Sequence, residues 1–232
     1  MDHILEKIAI IPSRSGSKRI PFKSLEKIGE HTLLSRTIRT VIELDKFDKV
    51  VVWTDSQIIA EEALKNGAEV PFLRTKFADD VTPVSVTTLD CVENLDKVWS
   101  LSPETMVCQF MPNCPFMSAS SINKMLQYFE NNKCESLLTC VRTDPIYRFI
   151  FELNDCNLPR KLILDTPINA RTQDFRPSFI PSGALWLTKY GTIKKFKSYY
   201  TENYQFFEIP AIEGFDIDTF EQLELARFLA QK

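Results

Sequence analysis

The stretch IAIIPSRSGSKRIPFKSLEKIG, residues 8–29, begins with an apolar run of four residues that stops at Pro12. A short apolar run bounded by a turn residue is typical of a buried β-strand. The rest of the stretch carries five cations against the single anion Glu26, namely Arg14, Lys18, Arg19, Lys23 and Lys27. The stretch therefore predicts a buried strand that leads directly into a positively charged loop.

The same alternation of apolar runs and helix-periodic segments continues along the chain, which predicts an α/β fold with a mostly parallel sheet and flanking helices. The predicted strands are Lys7–Pro12, Lys49–Trp53, Glu69–Phe72, Thr105–Phe110, Ser136–Val141, Ala184–Thr188 and Gln205–Pro210. The predicted helices are Leu33–Glu43, Ser56–Asn66, Val84–Trp99, Ser118–Glu130 and Thr219–Leu229. Ligands of open α/β sheets bind at the carboxyl ends of the strands, where the charged loop is expected.

The alternation fails between Arg142 and Ser182, a segment rich in Pro, Asp, Asn and Arg with only short apolar runs. We interpret this segment as an excursion from the main sheet, either a lid or an oligomerisation arm. A length of 232 residues suits one α/β domain with such an extension, or two small domains.

Composition excludes several classes of protein. A net charge of −3 argues against general nucleic-acid binding, no apolar run approaches membrane-spanning length, and the first residues lack a secretory signal, so a cytoplasmic location is expected. The sequence has only two histidines, His3 and His31, which argues against a histidine metal site and against a Ser-His-Asp triad. The cysteines have no close metal-binding spacing and are expected to be reduced: Cys91, Cys108, Cys114, Cys134, Cys140 and Cys156.

The charged loop has the composition of a phosphate-binding site. Ser15, Gly16 and Ser17 allow backbone N–H groups to approach a phosphate, and the surrounding cations supply positive charge. The loop matches neither the dinucleotide-binding pattern G-x-G-x-x-G nor the P-loop pattern G-x-x-x-x-G-K-[ST], because Gly16 is the only glycine before Gly29. The alternative is a solvated basic turn, which the imbalance of charge disfavours.

A second chemical motif is GFDIDTF, residues 214–220. In an extended segment Asp216 and Asp218 project from the same face, with Ile217 turned into the core. Paired carboxylates suit a magnesium ion that bridges to substrate phosphates. The structural alternative is helix capping, since Asp218 or Thr219 is a good N-cap and Asp218-x-x-Glu221 is a variant capping box.

The segment IIPSRSGSKRIPFKSL, residues 10–25, resembles the signature of the acylneuraminate (sialic acid and nonulosonate) cytidylyltransferases, roughly A-R-x-G-S-K-x-[IL]-P-x-K-N. The resemblance continues, in the family's order, through VVWTDSQIIAEEALKNGAEVPFLR, CQFMPNCPF, RTQDF, GALWL and GFDIDTFEQLELA. It implies one nucleotide-diphosphosugar-transferase-like (Rossmann-like) domain over residues 1–232, with residues 142–182 as a small dimerisation insertion. It also implies a homodimer, and the magnesium expected from the paired aspartates would be the cofactor.

The resemblance assigns roles to individual residues. Arg14 and Lys18 would hold the phosphates of CTP, and Lys23 would lie near the reacting α-phosphate as a catalytic residue. Asp218 would be catalytic as well as a metal ligand beside Asp216. The remaining nucleotide-binding positions implied are Gly16, Ser17, Ser24, Arg74 and Gln109.

At the acceptor end, the resemblance implies that Gln109, Arg171 and Gln173 bind the sugar, with Arg171 also catalytic. Each assignment has a structural alternative. Arg74 can cap a strand, Gln109 can satisfy backbone groups of the next turn, and Arg171 can form a surface salt bridge with Asp165 or Asp174.

The implied reaction is transfer of CMP from CTP to an acidic keto-sugar with release of pyrophosphate. The chain departs from the family pattern at Ser24 in place of Asn, at Met117 in place of Arg, and at Ile180 and Ser182 in place of the Arg and Asn of R-P-N-G. We therefore expect a legionaminate- or pseudaminate-like acceptor rather than N-acetylneuraminate, with Kdo disfavoured by RTQD. Two alternatives are a nucleotidyltransferase for another acidic acceptor and a non-catalytic sugar-nucleotide sensor.

Overall fold

The structure is a computed structural model that describes residues 5–79 and 81–231, so His3 lies outside the described residues. The strands are β1 (Lys7–Pro12), β2 (Lys27–Ile28), β3 (His31–Thr32), β4 (Lys49–Trp53), β5 (Met106–Phe110), β6 (Ser136–Thr143), β7 (Phe151–Leu153), β8 (Pro159–Lys161), β9 (Ser178–Lys189) and β10 (Tyr204–Ile209). The α-helices are α1 (Leu33–Glu43), α2 (Gln57–Lys65), α3 (Val84–Trp99), α4 (Ala119–Asn131), α5 (Tyr190–Phe196) and α6 (Phe220–Leu229).

Six strands form the central sheet in the order β10-β6-β9-β5-β1-β4. β1 pairs in parallel with β4 and β5, and β10 pairs in parallel with β6. Among the described strands of this sheet only β9 runs the other way, since it pairs antiparallel with both β5 and β6. The predicted mostly parallel α/β fold is confirmed.

Alternation along β1 determines how the helices pack on the sheet. Ala9 and Ile11 belong to the core under α1 and α4, whereas Ile8 and Ile10 belong to the core under α3 and α5. Because both faces of β1 are buried, its sequence is an unbroken apolar run rather than an alternating one. The sheet is thus covered on two sides, which leaves its strand ends as the place for a site.

A third, smaller core joins a segment from the first part of the chain to one from the last part. Ile20, which lies within the charged loop, and Ile28, which follows it, pack with Ile217 and with Leu223 of α6. Ile217 is fully buried, as predicted from the GFDIDTF motif. This core brings the loop after β1 next to the segment that precedes α6.

Two predicted strands differ from the structure, and one of the two candidate helix caps is confirmed. Glu69–Phe72 does not form a strand; only Glu69 bridges to Val51, and Pro71 has no N–H with which to extend the pairing. Of the two candidate N-caps of the last helix, Thr219 is confirmed; it forms a reciprocal capping box with Gln222, so the Asp218–Glu221 variant does not form. β9 begins at Ser178, before the predicted Ala184, because its first residues pair with the far end of β6.

The segment predicted to be irregular, residues 142–182, contains a small hairpin in which β7 pairs antiparallel with β8. All six cysteines are free thiols, as expected. Among residues 5–79 and 81–231, no helix has both the length and the apolar character that a membrane span requires.

Candidate active site

The charged loop is attached to the sheet on both sides of Arg14. The Ser13 N–H donates to the Trp53 carbonyl at 3.0 Å, which extends the pairing of β1 with β4 by one residue. Asp55 then accepts hydrogen bonds from the Ser15 N–H at 2.8 Å and from the Ser15 hydroxyl at 2.7 Å. The first residues of the loop are therefore held against the end of β4.

The end of the loop meets the aspartate motif. Lys23 lies in a 3-10 turn, Lys23–Leu25, and its Nζ donates to the Ile217 carbonyl at 2.7 Å and to Asp218 Oδ1 at 2.8 Å. Arg19 Nη2 contacts the other carboxylate oxygen, Asp218 Oδ2, at 2.7 Å. The charged loop and Asp218, which are far apart in the sequence, thus form one charged cluster.

A cavity of about 500 Å³ opens at this cluster. Its charged lining consists of four cations and one anion, Arg14, Lys18, Arg19, Lys23 and Asp218. Its other polar lining side chains are those of Ser13, Ser17, Ser24 and Asn113. A cavity with this excess of positive charge favours an anionic ligand of nucleotide size.

The two aspartates of the motif differ in their electrostatic surroundings. Partial burial alone would raise the pKa of Asp218, but the hydrogen bond and charge of Lys23, together with Arg19, outweigh it and hold that pKa below its ordinary value. The pKa of Asp216 is raised, first by desolvation and then by the negative charge of Asp218. The negative charge of Asp218 therefore acts on the ionisation of Asp216.

Asn113 connects this motif to the loop after β5. The Asn113 amide donates to Asp216 Oδ1, and the Asn113 carbonyl accepts the Ile217 N–H at 2.9 Å. The Asn113 side-chain oxygen is buried and has no hydrogen-bond partner among the described residues. Two carboxylates and an unpartnered amide oxygen are hard donors that fit a divalent cation. In the described part of the chain there is no group of three or more His, Cys, Asp or Glu side chains that could hold a metal ion.

The cavity brings together most of the predicted nucleotide-binding residues: Arg14, Ser17, Lys18, Lys23 and Ser24 all line it, as does Asp218. Gly16 lies in the same loop, and a Cβ built on it would meet no atom within 4 Å. Arg19, Ser13 and Asn113 were not among the predicted site residues. The cationic composition of the loop could have indicated Arg19, but nothing in the sequence alone indicates Asn113.

Arg74 lies beside the charged loop rather than in the lining of the cavity. Its backbone N–H donates to Thr54 at 2.7 Å and its Nε to the Lys76 carbonyl at 3.1 Å. Burial lowers the pKa of the Arg74 guanidinium, and the negative charge of Asp55 partly opposes this effect. The side chain is thus buried close to the residue that anchors Ser15.

Gln109 is fully buried in β5, between β1 and β9. Its side-chain oxygen accepts a hydrogen bond from the Thr88 hydroxyl, and its Nε2 is buried with no hydrogen-bond partner in residues 5–79 and 81–231. The structure does not place it among the residues that line the cavity.

Arg171 and Gln173 are exposed and lie outside the cavity lining. The Arg171 guanidinium pairs with Asp174, with Nη2 and Oδ1 3.0 Å apart, so the surface salt bridge considered as an alternative is present. The structure does not join these two residues to the cavity.

A family model described as cytidylyltransferase matches residues 8–232, nearly the whole chain and all of the cavity. The chain belongs to the cytidylyltransferase family. The predicted class, a nucleotidyltransferase, is confirmed, and members of this family generally use a divalent metal.

Two curated relatives illustrate this membership. The chain is 29% identical to a pseudaminic acid cytidylyltransferase of Campylobacter jejuni, over 97% of this chain and 96% of the relative. It is 23% identical to an N-acylneuraminate cytidylyltransferase of Streptococcus agalactiae, over 93% of this chain but only 51% of the relative. Among solved structures, a CMP:2-keto-3-deoxy-manno-octonic acid synthetase complexed with CTP superposes with a TM-score of 0.71 at 14% identity, covering 97% of this chain and 98% of that one. This last likeness shows the fold.

Proposed function

We propose that this enzyme transfers CMP from CTP to a nonulosonic acid, a sialic-acid-like keto-sugar, and releases pyrophosphate. A hydroxyl oxygen of the sugar attacks the α-phosphorus and loses its proton, while the bond from that phosphorus to the pyrophosphate oxygen breaks. The observation that carries the proposal is the convergence of four loop cations and Asp218 on one cavity of about 500 Å³.

The loop residues would act mainly by positioning and by neutralising charge. Arg14 and Lys18 hold the phosphates of CTP, and the backbone at Gly16 and Ser17 approaches them closely. Lys23 stabilises the charge that develops at the α-phosphate. In the protein as it stands, Lys23 is held by Asp218 at 2.8 Å, so its ammonium group is already oriented at the cavity before a nucleotide binds.

The aspartate motif would hold a magnesium ion. Asp216 and Asp218 would be its protein ligands, with the unpartnered oxygen of Asn113 close by. A magnesium ion bound there would neutralise charge on the triphosphate and on the departing pyrophosphate. The protein itself holds the aspartate motif against the charged loop, through the contact of Lys23 with Asp218.

The acceptor is proposed to be pseudaminate-like. The chain is more similar to the pseudaminic acid cytidylyltransferase, at 29% identity, than to the N-acylneuraminate cytidylyltransferase, at 23%. Arg171 and Gln173 are proposed to contact the acidic sugar. Gln109 is proposed to contact the nucleotide or the sugar, which the buried and unpartnered Nε2 supports. Arg74 is proposed to contact the nucleotide.

We further propose a cytoplasmic homodimer in which residues 142–182 form the dimerisation arm of a single domain. The arm exposes large apolar side chains, among them Ile146, Leu164 and Ile168, which is unusual for a surface that remains in water. A second copy of the chain would cover them. Analytical ultracentrifugation of the intact protein tests this, since a sedimenting monomer contradicts it.

The function is tested by pyrophosphate release with four nucleoside triphosphates against N-acetylneuraminate, legionaminate, pseudaminate and Kdo. We expect turnover with CTP and pseudaminate, dependent on a divalent cation. Turnover with another nucleotide or only with Kdo would support the alternative nucleotidyltransferase, and binding of CMP-sugar without any turnover would support the sensor.

Asp218→Ala should abolish metal-dependent pyrophosphate release while leaving the circular dichroism spectrum unchanged. Glu208→Ala is the matched control, because the Glu208 carboxylate also accepts two charged hydrogen bonds, both from Arg142, at 2.8 and 3.1 Å. Glu208 lies in β10, outside the cavity, and its removal should leave the rate unchanged. An Asp218→Ala enzyme with the rate of the control would refute the assignment.

A further inference from the structure

Two buried serine hydroxyls lie side by side in the lining of the cavity. Ser13 is 4% exposed and Ser24 is 7% exposed, and the Ser13 hydroxyl donates to the Ser24 hydroxyl across 2.7 Å. Both side chains line the cavity. The bond joins the end of β1 directly to the turn that contains Lys23, and so closes the base of the charged loop.

Because Ser13 is the donor in this hydrogen bond, the hydroxyl hydrogen of Ser24 remains available to another acceptor. A hydroxyl carries a single donor hydrogen, and Ser13 donates its hydrogen to Ser24. In the structure as described, the Ser24 hydroxyl donates to no protein acceptor. An oxygen of a ligand in the cavity can accept this hydrogen.

Ser13 itself is held in place. Its N–H is bound to the Trp53 carbonyl at 3.0 Å, so the hydroxyl is presented from the rigid end of a strand and not from the middle of a loop. Ser24 follows Lys23, whose ammonium group is fixed by Asp218 and by the Ile217 carbonyl. Ser24 and this fixed cation line the same cavity, where an anionic oxygen would be bound.

We propose that Ser13 and Ser24 act as one unit that positions CTP: Ser13 orients the Ser24 hydroxyl, and Ser24 donates to an oxygen of the nucleotide. The inference rests on the proposed function and deepens it by adding Ser13 as a positioning residue. In the pattern A-R-x-G-S-K-x-[IL]-P-x-K-N these two positions are Ala and Asn. The two departures of this chain from that pattern are thus in direct contact with each other.

A double-mutant cycle tests whether the two hydroxyls act together. We expect Ser24→Ala to raise the KM for CTP about tenfold, the effect of one lost hydrogen bond to a charged group. Ser13→Ala should raise it about threefold, since the donor of Ser24 is then misoriented rather than lost. The double variant should be no worse than Ser24→Ala alone, with kcat changed little in all three. Effects that multiply to about thirtyfold would mean independent hydroxyls and would overturn the proposal.

A second cycle uses asparagine. Ser24→Asn alone should bind CTP poorly, because the longer amide occupies the space of the Ser13 hydroxyl 2.7 Å away. When Ser24→Asn is combined with Ser13→Ala, which removes that oxygen, the double variant should recover most of the affinity for CTP. If Ser24→Asn binds CTP as well as the native chain whether or not the Ser13 hydroxyl is present, the coupling is absent.

The matched control is Ser136→Ala, which removes one member of another buried hydroxyl pair, with Thr188 at 3.3 Å, outside the cavity. It should leave the KM for CTP unchanged. The second readout is the rise in melting temperature that CTP causes in each variant, which requires no turnover. A native chain that neither binds nor turns over CTP would refute the proposed function itself. A native chain that does both while the variants show additive effects would refute only the serine pair.

Discussion

Gly214 is the position where one added methyl group should disturb both the fold and the aspartate motif. A Cβ built on Gly214 would lie 2.4 Å from Val141 Cγ1 and 3.0 Å from Ser182 Oγ. Carbon atoms in a packed interior do not approach so closely, and both neighbours are themselves held in strands β6 and β9. The turn that contains Gly214 must therefore move away from the sheet in Gly214→Ala.

The cost can be estimated from the overlap. Forcing one extra methyl group into a well-packed site costs about 1–3 kcal/mol of the free energy of unfolding. For a chain of this length each kcal/mol corresponds to about 2–4 °C, so the melting temperature should fall by about 2–12 °C. Because Asp216 and Asp218 follow Gly214 by two and four residues, the displacement should also lower kcat for pyrophosphate release.

The assay is thermal unfolding followed by circular dichroism, together with the rate at saturating CTP, acceptor and divalent cation. Gly183→Ala is the matched control, because the nearest atom to its added Cβ, Met111 Cγ, lies at an ordinary 3.7 Å. We expect the control to melt within a degree or two of the native protein. The reasoning would be refuted if the two variants melted at the same temperature, since they differ mainly in this overlap.

Three further predictions concern the loop and the arm. Gly16→Ala should leave the melting temperature unchanged, because its Cβ meets no atom within 4 Å, yet raise the KM for CTP; an unchanged KM would show that no phosphate approaches this backbone. Asp55→Ala removes both hydrogen bonds to Ser15, at 2.8 and 2.7 Å, and should raise the KM for CTP about tenfold, with Asp55→Asn intermediate; equal KM values for all three proteins would contradict an anchoring role. Arg171→Ala should leave the melting temperature almost unchanged, because its ion pair with Asp174 is exposed, while raising the KM for the sugar acid; an unchanged KM would favour the purely structural interpretation.

Prediction of the fold succeeded for elements that are determined by the residues of their own segment. The bounds of β1 and β4 were predicted to the residue, because an apolar run with turn residues at its ends has few alternatives to a buried strand. It failed for Glu69–Phe72, where the apolar residues are present but Pro71 cannot donate to a neighbouring strand. It also missed the first part of β9, whose pairing with β6 depends on a partner that is distant in the sequence.

In the candidate site, too, features that depend on one segment could be predicted, and contacts between distant segments could not. The excess of cations after β1 and the alternation of carboxylates around Ile217 are local properties, so their chemistry could be inferred from residue types and spacing. The contact of Arg19 with Asp218 and the bond from Asn113 to Asp216 could not, because each joins segments about a hundred or more residues apart.

What the amino-acid sequence determined by itself is therefore a set of local tendencies: buried strands, amphipathic helices, a cationic loop and an extended acidic motif. Only the tertiary structure decided that Ile20 and Ile217 share one small core, and that Lys23 consequently meets Asp218 at 2.8 Å. The physical reason is that burial of apolar side chains acts between any segments that can pack together, whatever their separation along the chain. Hydrogen bonds such as that between Ser13 and Ser24 form only after this packing has brought their donors and acceptors within reach.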